Sequence, residues 1–88
     1  MVVENLTPQQ RKKLNVERRG VLITDVKKGA AKDAGLRRGD IVLMMNNKEV
    51  KNTDQFRKLV KGLPGGKSVP ILIQRNNHPE FLALKVPD

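Results

Sequence analysis

The apolar residues of this chain are gathered into short runs, and turn-forming residues separate one run from the next. Val21 to Val26 is rich in β-branched residues and lies between Gly20 and Gly29, whereas Ile41 to Met45 is apolar at every position. Runs of this length are typical of strands, because helices of globular proteins usually need ten or more residues. They are also far too short to span a bilayer, which takes about 20 apolar residues. The sequence therefore predicts a strand-rich domain without a membrane span.

The length of the chain limits it to a single core. Eighty-eight residues cannot bury enough apolar surface for two independent cores. Hydrophobic residues make up 38% of the sequence, and with seven glycines the apolar share is that of a folded domain rather than a disordered one. The absence of cysteine excludes disulfides, thiolate metal sites and a cysteine nucleophile. We therefore expect residues 1–88 to form one domain.

Capping signals mark where the helices begin. Thr7, Pro8 and Gln10 have the spacing of an N-cap, a first-turn proline and a capping-box partner. Asn52 and Gln55 form a similar pair before a segment with apolar residues at three-and-four spacing. A third, short helix of small residues is predicted at residues 30–34. The predicted strands are Val2 to Leu6, Val21 to Val26, Ile41 to Met45, Lys48 to Val50, Val69 to Gln74 and Phe81 to Val86.

Glycine, asparagine and proline predict how these elements are joined. Gly35 follows the small-residue helix, where a left-handed residue ends a Schellman motif. Asn46 and Asn47 can both adopt positive φ and would close a tight hairpin. Asn76 to Pro79 is predicted as a turn, and Pro70 is expected at an edge or a bulge. The fold class is therefore α+β: a compact five- or six-stranded antiparallel barrel or sandwich with two or three short helices.

The net charge of +9 admits a second interpretation of the chain as a polyanion-binding domain. Its 18 basic residues face nine acidic ones, but they occur in scattered pairs, as is usual for a solvated surface. Proteins that bind single strands usually stack bases on aromatic side chains. Only Phe56 and Phe81 are aromatic, and both fall at core-like positions of their elements. Nucleic-acid binding is therefore kept as the alternative, and no nucleic-acid partner is expected.

The sequence contains no recognisable catalytic or metal-binding arrangement. His78 is the single histidine and lies in a predicted turn, so it has no second histidine or cysteine with which to share a metal. Ser68 lacks the flanking glycines of a nucleophile elbow. A triad of Ser68, His78 and an aspartate would be built from loop residues without an oxyanion hole. We therefore expect no enzyme activity, no metal and no cofactor.

The stretch from Gly20 to Val42 resembles the central signature of bacterial PDZ domains. It consists of a strand and a small-residue helix, followed by Ala-Gly-Leu at 34–36 and Gly-Asp-Ile at 39–41. Leu43 to Val50 resembles the strand of that family that ends in an Asn-Asn turn. Asn52 to Leu63 resembles the helix that lines the peptide groove.

The N-terminal segment is similar to PDZ domains of Do-type (HtrA/Deg) periplasmic serine proteases, since an apolar strand precedes Thr-Pro-Gln-Gln-Arg-Lys-Lys-Leu at residues 7–14. The resemblance implies a periplasmic peptide-binding module that captures extended or C-terminal apolar segments of unfolded proteins by strand addition. The serine endopeptidase domain and neighbouring subunits of the parent protein would be its other partners. A PDZ domain of another envelope protease or of a secretion protein is the alternative within the family.

The resemblance also implies where the peptide binds, between the first strand and the third predicted helix. The family's carboxylate-binding loop, an apolar-Gly-apolar segment, comes just before that strand. Met1 takes its last apolar position, so we expect the loop to be truncated in this sequence. For Arg57 the alternative is a solvated helix position, and for Val60 it is core packing. The implied peptide-binding residues are Met1, Val2, Val3, Glu4, Thr53, Arg57, Val60 and Lys61.

Overall fold

The computed structural model describes every residue from 1 to 88. It has six strands and three short helices, which confirms the predicted α+β class. The strands are β1 (Val2–Asn5), β2 (Val21–Asp25), β3 (Ile41–Met45), β4 (Lys48–Glu49), β5 (Ser68–Arg75) and β6 (His78–Lys85). The helices are α1 (Pro8–Leu14), α2 (Ala30–Asp33) and α3 (Thr53–Lys61).

All six strands form one antiparallel sheet in the order β1-β2-β3-β5-β6, and β4 pairs with β3 outside this path. The longest ladder joins β5 to β6, from the Ser68–Lys85 pair to the Arg75–His78 pair. The first and last strands of the chain therefore lie at opposite edges of the sheet.

The strands separate the core into two clusters. Successive residues of a strand point to opposite faces, so Ile41 and Leu43 join one cluster while Val42 joins the other. The pairing of β3 with β5 is irregular between Val42 and Met44, which interrupts the alternation and brings Met45 into the same cluster as Val42. The larger cluster contains 11 buried residues and is covered by α2 and α3. The smaller contains four, and Leu14 of α1 packs against it. Helices therefore cover both faces, as the apolar character of β3 on both sides requires.

The ends of the helices follow the predicted caps. The Thr7 hydroxyl accepts from Gln10 N–H at 3.1 Å, and the Gln10 side chain accepts from Thr7 N–H at 2.8 Å, which completes the capping box. After α2, Gly35 has φ +94°, and the N–H groups of Gly35 and Leu36 donate to Lys32 and Ala31 carbonyls. These two bonds are those of the predicted Schellman motif.

A buried ion pair joins the turn after α2 to β5. The Asp40 side chain is 3% exposed, and its carboxylate accepts from Arg75 Nε at 2.9 Å and Nη2 at 2.6 Å. It also accepts from Arg37 N–H, while Arg75 donates to the Gly35 carbonyl. The hydrogen bond from Arg75 to Asp40 raises the pKa of Arg75 above its usual value and so favours the charged form of the guanidinium.

The turn predicted at residues 76–79 is shorter than expected. Asn76 and Asn77 both have positive φ, 52° and 64°, so two residues suffice to close the hairpin. His78 and Pro79 belong to β6, which corrects their placement in the turn. Pro79 fits there because β6 is an edge strand, where a missing N–H removes no bond to a further strand.

Pro70 lies in an internal strand, so the expectation of an edge was wrong for β5 as a whole. The Pro70 carbonyl accepts from Asn46 N–H at 2.8 Å, one residue beyond the end of β3. In antiparallel sheets the N–H and C=O of one residue point to the same neighbour. The nitrogen of Pro70, which carries no hydrogen, therefore faces the turn after β3. No hydrogen bond of the sheet is lost there.

Candidate functional site

The sheet leaves one side of β1 without a strand, and α3 lies beside it. β1 pairs only with β2, with Val3 opposite Ile23 and Asn5 opposite Val21. The Asn5 Oδ1 accepts from Thr53 N–H at 2.9 Å, so the first residue of α3 is tied to the last residue of β1. Asn52 caps the same helix by accepting from Gln55 N–H at 2.8 Å. We refer to the strip of surface between the open edge of β1 and the adjacent flank of α3 as the groove, and the hydrogen bond from Thr53 to Asn5 fixes the spacing of its two walls at this end.

The α3 helix presents one face to the core and another to solvent. Phe56 is 5% exposed, and Leu59 and Leu63 pack against the larger cluster. Because these positions face inward, Arg57 lies on the outer flank of the helix, and Val60 lies at the border between the two faces. Val60 is 40% exposed, which overturns core packing as the explanation of this residue.

Met1 and the residues of β1 also divide into exposed side chains and side chains that pack against the core. Met1 is 37% exposed and Val2 is 47% exposed, whereas Val3 is half-buried and packs against the larger cluster. Only four large apolar side chains are exposed on the whole protein, and three of them are Met1, Val2 and Val60. Three of the four exposed apolar side chains therefore lie on β1, on its N-terminal neighbour and on α3, and the fourth, Phe81, lies on β6.

The charged candidates lie on the open surface. Arg57 forms an ion pair with Asp54 at 3.3 Å, with side-chain exposures of 64% and 87%. A pair this exposed is weakly held because water screens it. Lys61 and Glu4 are exposed, and Thr53 is half-buried at the tied end. Arg57 is thus both solvated and free to approach a bound group.

The groove is shallow. Four clefts on the surface contain no residue of β1 among their lining residues. One lies between α2 and the C-terminal residues, and one lies behind α3 near Leu59. The other two surround the end of α1 and are lined mainly by polar and charged residues. A ligand at β1 would therefore lie along a strand edge and not in a deep cavity.

Ser68 and His78 cannot act on the same substrate atom. Ser68 begins β5 and His78 begins β6, so they lie at opposite ends of the longest ladder. The seven residue steps between Ser68 and Arg75, the partner of His78, correspond to about 23 Å. No three His, Cys, Asp or Glu residues are grouped as metal ligands. None of the three helices has the length and apolar composition needed to cross a membrane.

Two residues were placed wrongly or missed by the sequence analysis. Phe81 is 67% exposed, so its predicted core position was wrong. Leu84 and Leu82 on the same strand point inward, and Phe81 has the opposite phase. Asn5 was not predicted as part of the site. The only sequence signal for it is a polar residue near the end of an apolar strand, since its partner Thr53 is 48 residues away.

Comparison with known proteins identifies the fold. A family model described as "PDZ domain" matches residues 22–75. A probable periplasmic serine endoprotease DegP-like of Hahella chejuensis is 38% identical over 84 residues, which is 96% of this chain and 18% of that protein. The equivalent protein of a Marinomonas species is 34% identical over 88 residues, 100% of this chain and 19% of that protein. The chain thus spans about a fifth of the length of these relatives.

Solved structures agree with the family match. A variant of the HtrA-type protease AlgW with a decapeptide superimposes with a TM-score of 0.91 at 26% identity, covering 98% of this chain and 27% of that one. The HtrA3 PDZ domain bound to a phage-derived ligand (FGRWV) gives a TM-score of 0.80 at 15% identity, covering 97% and 79%, which supports the fold alone. This chain therefore belongs to the PDZ domain family, and it is similar to the PDZ domains of HtrA/DegP serine proteases.

Proposed function

We propose that this domain binds extended peptides with apolar C-terminal ends by adding them as a strand to the free edge of β1. The observation that carries the proposal is the concentration of exposed apolar side chains, Met1, Val2 and Val60, along that edge and the helix beside it. An edge strand offers unpaired backbone groups, and alternate side chains of the peptide can enter adjacent pockets.

In this proposal the peptide lies antiparallel to β1, with its C-terminus near Met1. Backbone N–H groups in a loop before β1 would hold the terminal carboxylate, as in an anion-binding nest. Val3 lies on the α3 side of β1, since it packs against the larger cluster and Asn5, which has the same phase, binds α3. Val3 and Val60 would therefore contact apolar side chains of the peptide, and Val2 would line the opposite face of the strand. Arg57 and Lys61 would face the more solvated part of the peptide.

The relatives suggest in which kind of protein, and in which compartment, the peptide would be bound. They are named periplasmic serine endoproteases, and the chain matches about a fifth of their length. We propose that the domain acts in the periplasm as the substrate-capturing part of such a protease. A catalytic domain elsewhere in the protein would hydrolyse the captured, unfolded substrate, and adjacent subunits would contact the domain.

An NMR titration with an apolar-ended peptide tests the proposal. The peptide is compared as free acid and as C-terminal amide, with this chain and with one carrying an apolar-Gly-apolar segment before Met1. We expect amide shifts to cluster on residues 1–5 and 53–63, and the free acid to bind more tightly once that segment is present. Shifts on β6 instead of β1, or no shifts at millimolar peptide in either chain, would refute binding at this edge.

A further inference from the structure

A cleft with excess positive charge lies next to the tied end of the groove and is not used by the proposed peptide site. It consists of two depressions around the C-terminal end of α1, which share Asn15 and Glu17 as lining residues. Its acidic residues are Glu17 and Glu49, so five basic residues leave an excess of three positive charges. The basic residues that define this basic cleft are Arg11, Lys12, Arg18, Arg19 and Lys51.

The charge of the basic cleft is not neutralised within the protein. Of the 18 basic residues of the chain, only Arg57 and Arg75 have a nitrogen within 4.0 Å of a carboxylate oxygen, which leaves sixteen without such a partner. Neither Glu17 nor Glu49 forms an ion pair. Like charges held close together repel each other, and an anionic partner would relieve that repulsion.

Hydrogen bonds connect this cleft to the groove. Arg11 donates from Nη1 to the Arg19 carbonyl at 3.3 Å and from Nη2 to the Lys51 carbonyl at 3.2 Å. Lys51 comes two residues before Thr53, whose N–H is bound by Asn5 at the end of β1. Two residues span at most about 7 Å. The basic cleft therefore begins within one or two peptide residues of the tied end of the groove.

The direction of the peptide decides what reaches this cleft. An antiparallel peptide with its C-terminus near Met1 leaves the groove at Asn5, so its upstream residues run towards Lys51. Since β1 and Met1 cover about five residues at roughly 3.3 Å each, the cleft lies opposite positions about six to eight residues from the C-terminus.

We propose that the basic cleft binds acidic side chains upstream of the apolar end, so that the preferred ligands combine an apolar C-terminus with a preceding acidic segment. This inference rests on the proposed function. The apolar end would supply most of the affinity, because exposed ion pairs contribute little individually. The acidic segment would supply selectivity and faster association, both of which salt weakens.

Three decapeptides with the same four apolar C-terminal residues test the inference. Their upstream segment carries three Glu, three Gln or three Lys, and fluorescence anisotropy gives the affinity at about 25 mM and about 150 mM salt. If two or three exposed ion pairs form, we expect the Glu peptide to bind roughly fivefold more tightly than the Gln peptide at low salt. The Lys peptide should bind more weakly than both, and the differences should shrink at the higher salt concentration.

A charge-matched pair of variants locates the effect. Arg18→Gln with Lys51→Gln removes two charges from the cleft, and neither side chain donates a hydrogen bond within the protein. Lys67→Gln with Lys85→Gln removes the same charge near the opposite edge of the sheet. The first variant should lose the preference for the Glu peptide, and the second should keep it, while both should bind the Gln peptide as the parent does.

The possible failures separate this inference from the proposed function. Equal affinity of the Glu and Gln peptides at low salt overturns the role of the basic cleft and leaves groove binding intact. Absence of binding by all three peptides, both in this chain and in the chain with the apolar-Gly-apolar segment before Met1, refutes groove binding and the inference with it. A short oligonucleotide that binds with steep salt dependence and loses affinity in the Arg18→Gln, Lys51→Gln variant, without any advantage of the Glu peptide, assigns the cleft to nucleic acid and overturns the inference.

Discussion

The two edge strands of this sheet differ in how they meet solvent. β1 has four residues, lies beside α3, and has Val2 and Val60 exposed next to its free side. β6 has eight residues, and its long edge carries the features that prevent strand pairing: Pro79, which lacks an N–H, and the charged side chains of Glu80 and Lys85. α2 also packs against β6. The comparison indicates that the shorter, less protected edge is the one suited to accept a peptide.

A second difference lies in how each edge is fixed to the rest of the domain. The beginning of β6 lies opposite Arg75, which is held by the buried Asp40 and approached by Glu80 at 3.6 Å. The end of β1 is held to α3 by the single exposed hydrogen bond from Thr53 to Asn5. The edge proposed to admit a peptide is therefore joined to the neighbouring helix by one exposed hydrogen bond, whereas the other edge lies beside a buried ion pair.

The largest effect on stability is expected from breaking the buried ion pair between Asp40 and Arg75. Asp40→Ala removes the carboxylate that accepts from Arg75 and Arg37 and leaves the Arg75 guanidinium only the Gly35 carbonyl and the more distant Glu80, which should lower the free energy of unfolding by about 2 kcal/mol. Urea denaturation measures it. Asp54→Ala is the matched control, because it breaks an exposed pair and should cost less than about 0.5 kcal/mol. Similar small losses in both variants would show that Asp40 does not anchor the β6 side.

The exposed apolar residues of the two edges should respond differently to the introduction of a charge. Val60→Asp places a charge beside β1 and should lower the affinity for an apolar-ended peptide about tenfold, or about 1.4 kcal/mol. Phe81→Asp makes the same kind of change at the more exposed position on β6 and should leave the affinity within about twofold. Anisotropy titrations of both variants provide the comparison. An equal loss in the two variants would remove the distinction between the edges.

The sequence predicted the ends of the helices better than it predicted which side chains are exposed. Thr7 with Gln10 and Gly35 with Leu36 were placed correctly because caps depend on residues within one turn of each other. Phe81 was misplaced because a strand pattern gives the alternation but not the face that the core occupies. That choice depends on the partner strand, and β5 places Leu84 inward.

The candidate site was predicted in part for the same reason. The resemblance to PDZ domains implied β1 and α3 as its walls, and the structure places these elements side by side. The exposure of Val60 could not be decided from the helix pattern, since its position borders the apolar face. The role of Asn5 depends on a contact across 48 residues of sequence and the basic cleft on one across 40 residues, and no local pattern encodes such contacts.

The smallest effect is expected where β1 is tied to α3. Asn5→Ala removes the acceptor of Thr53 N–H, and an exposed hydrogen bond of this kind should contribute about 0.5 kcal/mol to stability. Because α3 is then free to vary its distance from β1, peptide affinity should fall about two- to threefold. Faster hydrogen exchange of the Thr53 amide distinguishes this local release from general destabilisation. Gln9→Ala, an exposed change on α1, should alter neither quantity. Unchanged exchange at Thr53 would show that Asn5 does not fix the width of the groove.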